Sequence, residues 1–303
     1  MTLQTLVHRV SQRVQQPLHM LADERYRNYH LQRQVLDSAA RERRAKRLAA
    51  TLPPATPSTR PEIALLAAQG YAMTPGLVTA AQVDEMRAHF ATEKCRDEYR
   101  PHLGSFVVTD APKETHVAIF EDDVVTSAPH GLRIANDPGI LDIVGNVLGA
   151  KPTIAVMSAW WSLPHGDAPG EQAQLWHRDV DDWRFVKLFL YLTEVDEDAG
   201  PHVFVPGSHT RDVMMPIRRY SDEEIAVGFA GIEHKRFTGP AGTTFLENTF
   251  GFHRGYPPRT NPRLIYQITY SMRPLVHGPK TPIARLPADA GYDPYVNRVY
   301  FAA

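Results

Sequence analysis

From Lys151 onward the chain alternates short apolar runs with turn signals, and this pattern restricts the fold more than any other feature. The runs are TIAVMSAWW (153–161), FVKLFLYL (185–192), HVFVP (202–206), TTFLEN (243–248) and RLIYQITYSM (263–272). Gly and Pro punctuate them at 166–170, 196–200, 206–207 and 239–242. Runs of strand length with almost no helical periodicity between them predict an antiparallel barrel or a double-sheet jelly roll. Upstream, Pro61 to Phe90 reads as a helix, a turn at Gly70, a short strand over Tyr71 to Thr74, a Pro75-Gly76 turn and a second helix with Val83, Met86 and Phe90 among its apolar positions. The expected fold class is therefore mainly β with flanking helices.

The first 60 residues differ in kind. They carry eleven Lys and Arg against four Asp and Glu, or +7, whereas the remainder carries 22 against 30, or −8, and the whole chain −1. Leu3, Val7, Val10, Val14, Leu18 and Leu21 fall on one side of a helix that Pro17 kinks or divides. A second helical stretch, about 22 to 50, is rich in Arg and poor in apolar residues. Four prolines within 51 to 61 then stop any helix. These signals divide the chain into a basic helical arm with its linker (1–60) and a main domain (61–303). The arm is expected to pack as a solvated extension on the main domain or on another copy of it; the other reading is docking on an anionic membrane surface or partner.

Composition excludes several classes. A net charge of −1 gives no support to nucleic-acid binding. No run of about 18 uncharged apolar residues suggests a membrane span, and Arg9, Arg13, Asp23 and Glu24 break up any signal peptide. The lone cysteine, Cys95, fits a reducing cytoplasm and rules out a multi-thiolate metal site. Any metal must be held by His, Asp or Glu.

The segment LWHRDVDDW (175–183) supplies such ligands. On a strand, His177 and Asp179 leave from the same face and can reach one ion. A His-x-Asp triplet alone is weak, since a structural ion pair is its default meaning, and it needs a third ligand. His253, in FLENTFGFHRG (245–255), follows the strand at 243–248 and begins a loop. Two His and one carboxylate on one side of an ion leave adjacent positions open, the arrangement of non-haem Fe(II) oxygenases. Arg263, at the start of RLIYQITYSM, carries a guanidinium suited to a bidentate carboxylate.

His177-Arg178-Asp179, EDAGPHVFVPGSH (197–209), TTFLENTFGFHRG (243–255) and then Arg263 stand in an order that resembles the phytanoyl-CoA dioxygenase family of Fe(II)/2-oxoglutarate oxygenases. AAQGYAMTPGLVTAAQVDEMRAHF (67–90) resembles that family's opening segment, so the likeness runs over roughly 65–273. It implies a double-stranded β-helix of the jelly-roll or cupin-like kind, with Fe(II) held by His177, Asp179 and His253. It also implies a 2-oxoglutarate cosubstrate whose distal carboxylate meets Arg263, with Phe189 beside it. The implied reaction uses O2, releases succinate and CO2, and hydroxylates an unactivated C–H bond of a small-molecule or conjugated substrate. Retention of Asp179 favours hydroxylation over halogenation, because related halogenases carry a small residue there.

The chain departs from the family at Gly255 and Ile265, where a hydroxyl residue often helps bind the cosubstrate; Thr269 or Tyr266 are the candidates to replace it. A second His-x-Asp, His165 and Asp167, lies in a Gly/Pro loop and lacks a following strand. His209 reads as a structural residue of the Pro-Gly-Ser-His turn, Trp176 or Trp183 as a pocket wall, and Arg178, Arg184 and Lys187 as surface residues. Two other readings remain: a jelly-roll ligand-binding protein without turnover, and a cupin-like metalloenzyme that does not use 2-oxoglutarate. Both leave Arg263 without a use.

Overall fold

The computed structural model describes residues 23–166 and 169–302. The apolar stripe from Leu3 to Leu21, with Pro17, lies outside these residues, as does Asp167. The stretch expected as one helix over 22–50 is two, α1 (Glu24–Arg33) and α2 (Ser38–Ala49). Asp37 divides them: its carboxylate accepts from Ala40 N at 2.6 Å and caps α2, a bond that a helix-interior Asp cannot make. Residues 51–60 are non-helical but not free. Pro53 O accepts from Lys151 N at 2.7 Å, and Asn146 Nδ2 donates to Thr56 O at 2.7 Å.

Next come α3 (Pro61–Gln69), β1 (Tyr71–Met73) and α4 (Ala80–Thr92), as the sequence indicates. Gly70, at φ 89°, ends α3 in a left-handed conformation that other residues resist. Strands β2 (Lys94–Arg96), β3 (Ser105–Val107) and β4 (Val117–Phe120) follow, too short to announce themselves in the sequence. Three helices complete this half: α5 (Asp122–Ser127), α6 (Gly131–Ala135) and α7 (Pro138–Leu148).

The expected strands are β5 (Thr153–Ser162), β6 (Phe185–Tyr191), β7 (His202–Phe204), β9 (Thr244–Glu247) and β11 (Arg263–Ser271). Between them lie α8 (Asp222–Gly228), β8 (Lys235–Phe237) and β10 (His253–Gly255). An eight-stranded antiparallel sheet runs β1-β9-β6-β11-β5-β4-β2-β3, and a second sheet runs β10-β7-β8. The two form the double-stranded β-helix.

Alternation along β11 shows how the large sheet divides the molecule. Leu264, Tyr266, Ile268 and Tyr270 join the core that includes Ile140, Ile143, Val144 and Leu148 of α7. Arg263, Ile265 and Gln267 point the other way and line a cavity between the sheets. Phe189, Tyr191 and Phe245 from the large sheet meet Phe204 and Phe237 from the small one, closing the barrel beside that cavity. Burying five aromatic side chains there contributes on the order of 10 kcal/mol before entropy is counted. Among the described residues, no helix is long and apolar enough to cross a membrane.

Candidate metal centre and its cavity

His253 does not begin a loop. It opens β10, and its backbone pairs with His177 through two bonds, His177 N to His253 O at 3.0 Å and His253 N to His177 O at 2.9 Å. This single bridge brings together residues 76 positions apart. Asp179 lies beyond the bridge, its N donating to Thr249 O at 2.8 Å. One donor atom from each of His177, Asp179 and His253 lies within 4.8 Å of the others.

Both imidazoles are oriented by backbone carbonyls. His177 Nδ1 lies 2.8 Å from Leu175 O and His253 Nδ1 lies 3.0 Å from Gly251 O. A carbonyl can only accept, so each Nδ1 bears the proton, and in the neutral ring each Nε2 presents a lone pair. The two Nε2 atoms converge on one carboxylate, at 3.6 Å from Asp179 Oδ1 and 3.4 Å from Asp179 Oδ2. Donors bound to one first-row divalent ion at adjacent positions stand ~3 Å apart, and the two His–Asp edges come close to that.

Charges around the triad are strongly shifted. Burial, followed by the neighbouring His253, pushes His177 well below the ordinary imidazole range. Burial would raise Asp179, but Lys187, with His253 and His177, outweighs it and holds the carboxyl well below its usual range. Burial opposes the charge on His253 too, yet Asp179 raises it. Lys187, expected on the surface, is half-buried on β6 with Nζ 2.7 Å from Asp179 Oδ2 and 3.2 Å from Asp181 Oδ2. A second pair adjoins the site: His202 Nε2 lies 3.0 Å from Glu247 Oε2. Burial drives Glu247 up to about 8 and His202 well below its ordinary value, both in favour of the neutral form of this hydrogen-bonded pair.

The triad opens on a cavity of about 520 Å³ that Arg263 and Phe189 also line. Arg263 is 3 % exposed, and its Nη2 donates to Ser162 Oγ at 3.2 Å. Its Nε and Nη1 are buried without a partner. Gly255 makes room for it: a Cβ there would stand 2.9 Å from Arg263 Nη2. The missing hydroxyl residue at this position thus reflects space taken by the guanidinium. Tyr266 cannot replace it, since it faces the helix-side core, and the hydroxyl beside Arg263 is that of Ser162. Phe189 stacks on Phe245 at 4.9 Å and 11°.

Other expectations are corrected by packing. Arg178 points away from the triad but is buried, over the rings of Phe250 at 4.9 Å and Phe252 at 4.3 Å. Arg184 bonds Glu42 and Leu148 O instead of solvent. Trp176 donates to Asp222 and Trp183 lies beneath Arg41 and Arg44, so neither walls the cavity, whereas Trp160 does. His209 bonds Ala67 O at 3.3 Å, a structural contact to α3. His165 stacks on His116 at 3.6 Å, outside the triad. Sequence reasoning passed over Lys187, His202 and Glu247 as site neighbours. Lys187 had a signal in the sequence, as the single charged residue inside the apolar run FVKLFLYL; His202 and Glu247 stand at the ends of their runs and had none.

The phytanoyl-CoA dioxygenase (PhyH) family matches the chain over residues 66–261, nearly two thirds of its length. Among solved structures, EctD from S. alaskensis with 2-oxoglutarate and 5-hydroxyectoine is 17% identical at a TM-score of 0.50, covering 83% of this chain and 92% of its own. The non-heme alpha ketoglutarate dependent carbocyclase SnoK is 17% identical at 0.49, covering 75% and 90%. HygX from Streptomyces hygroscopicus, with nickel, 2-oxoglutarate and hygromycin B bound, is 16% identical at 0.47, covering 80% and 97%. No curated protein matches. On the family match, and with the fold and the His-Asp-His cluster consistent with it, the chain belongs to the phytanoyl-CoA dioxygenase family.

Proposed function

We propose that this protein is an Fe(II)- and 2-oxoglutarate-dependent hydroxylase of a small molecule, with residues 61–303 as its catalytic domain. His177, Asp179 and His253 hold the iron; Arg263 and Phe189 hold the cosubstrate. The observation that carries this reading is the guanidinium of Arg263, with two buried donors unpartnered in the cavity that the triad faces. An uncompensated buried charge is costly, and a carboxylate ligand would satisfy it bidentately.

When bound, the iron supplies the redox chemistry that couples O2 and decarboxylation of 2-oxoglutarate, giving succinate and CO2, to oxidation of a C–H bond. The chain's own residues bind and orient. The backbone carbonyls of Leu175 and Gly251 fix the two imidazole tautomers, and Lys187 fixes the carboxylate. Arg263, beside Ser162, receives the distal carboxylate of the cosubstrate, and Phe189 provides an apolar wall along it. Trp160, Val117 and Ile119 supply an apolar part of the cavity wall, which also carries polar residues such as Glu171 and Gln267. EctD is crystallised with 2-oxoglutarate and 5-hydroxyectoine, in keeping with a small-molecule substrate here.

Anaerobic addition of Fe(II) and 2-oxoglutarate should give a weak visible charge-transfer band. It should vanish in His177→Ala and weaken in Arg263→Ala. No band, with no 2-oxoglutarate binding by calorimetry, rejects the reading. In a substrate screen that follows succinate, a product heavier by one oxygen atom supports hydroxylation; a product lighter by two hydrogens replaces it with desaturation or cyclisation.

A further inference from the structure

Helices α1 and α2 lie outside the matched residues 66–261, yet they close over the segment that follows Asp179. Gln32 Nε2 donates to Val180 O, and Arg41 Nη2 donates to Asp182 O. Arg41 Nη1 ties the two helices together, donating to Gln32 O at 2.9 Å and to Gln32 Oε1 at 3.0 Å. Asn28 Nδ2 donates to Asp182 Oδ1 at 3.0 Å, while Asp182 Oδ2 accepts from Met272 N and Arg273 N just past β11. All four of these polar side chains are buried. Leu36, between the helices, packs on the cluster of Val180, Phe185 and Phe250.

This seam bears on the metal site because Asp179 is not held by a regular strand. Its backbone N donates to Thr249 O at 2.8 Å, in the turn that follows β9 and outside either sheet. From the cavity side, Lys187 grips the side chains of Asp179 and Asp181. From the opposite side, the arm grips the backbone carbonyls at 180 and 182. A ligand displaced by a few tenths of an ångström loses metal affinity, so whatever fixes this backbone sets the carboxylate's aim.

We propose that Asn28, Gln32 and Arg41 are positioning residues for Asp179, making the N-terminal helices part of the metal site although they contribute no ligand. This rests on the metal-site reading above. The test uses the full-length protein with Co(II) alone as probe, in Gln32→Met, Asn28→Ala and Arg25→Met. Arg25 is the control: its Nη1 bonds Pro279 O at 2.9 Å, an arm contact away from the 180–182 segment.

Gln32→Met and Asn28→Ala should raise the Co(II) Kd by about tenfold and alter the visible ligand-field spectrum. Arg25→Met should keep wild-type affinity and spectrum even where its Tm falls. Wild-type affinity and spectrum in Gln32→Met and Asn28→Ala, with only a lower Tm, overturns the proposal. Asn28→Ala leaves Asp182 three backbone donors, Trp183 N, Met272 N and Arg273 N, and decides alone should Gln32→Met not fold. Wild-type protein that takes up no Co(II) overturns the metal-site reading and this inference together. Tight wild-type binding with unaltered variants overturns the positioning role only.

Discussion

Arg41, in the seam between the arm and the barrel, and Arg263, in the cavity, are 4 % and 3 % exposed, and their surroundings are opposite. Arg41 donates to Gln32 O, Gln32 Oε1, Val35 O and Asp182 O, and its guanidinium lies over Phe250 at 4.4 Å. Arg263 has Ser162 Oγ and two unpartnered nitrogens. Burial pushes Arg41 down to about 10 and lowers Arg263 as well, so the cost of the buried charge is common to both. The seam meets that cost with carbonyls built into the fold. The cavity supplies no such partner from the chain, and on the proposed function a ligand carboxylate takes that place.

The contrast is sharpest in Arg263→Met. Its 2-oxoglutarate affinity should fall by about a thousandfold, ~4 kcal/mol, because a bidentate charge pair is lost. Its Tm should hold or rise, since an uncompensated charge is removed. Calorimetry and thermal melts read both, and a falling Tm with intact 2-oxoglutarate binding would make Arg263 structural. Arg41→Met should behave in reverse: urea unfolding should show a loss of about 3 kcal/mol as the Val35 and Asp182 carbonyls lose their donor. A neutral Arg41→Met would break the contrast.

Metal uptake should depend on pH through His253. Its pKa is raised by Asp179 in the metal-free protein, so below that value the ring is charged and cannot ligate. Fe(II) affinity should therefore fall about tenfold for each pH unit below it and level off above, with one proton released per ion in that window. Titrations in buffers of different ionisation enthalpy count the proton. The smallest effect is expected for Gly255→Ala, whose methyl crowds Arg263 Nη2. A loss of ~1 kcal/mol in 2-oxoglutarate affinity with unchanged stability would show that the guanidinium moves by tenths of an ångström.

The five apolar runs became β5, β6, β7, β9 and β11 because strand-length segments with apolar faces must be buried in a sheet. Short strands such as β2, β3 and β8 carry too few residues for a period to show; their neighbours decide them. The candidate ligands were legible because a metal site needs particular side chains, and few orders of His, Asp and Arg supply them. Lys187 and Arg178 were misread as exposed because a charged residue is usually solvated. Only packing shows that one has carboxylates, and the other aromatic rings, as partners.

The sequence by itself determined the five longer apolar strands, the family and the candidate ligands, all of which depend on residue identity and local spacing. The tertiary structure alone decided that His177 and His253 are backbone partners, that Tyr266 turns from the cavity while Ser162 faces Arg263, and that α1 and α2 lie behind Asp179. These are relations between segments tens to hundreds of residues apart. They are fixed by sheet register and by where buried polar groups find partners, and neither quantity is carried by any stretch of sequence taken alone.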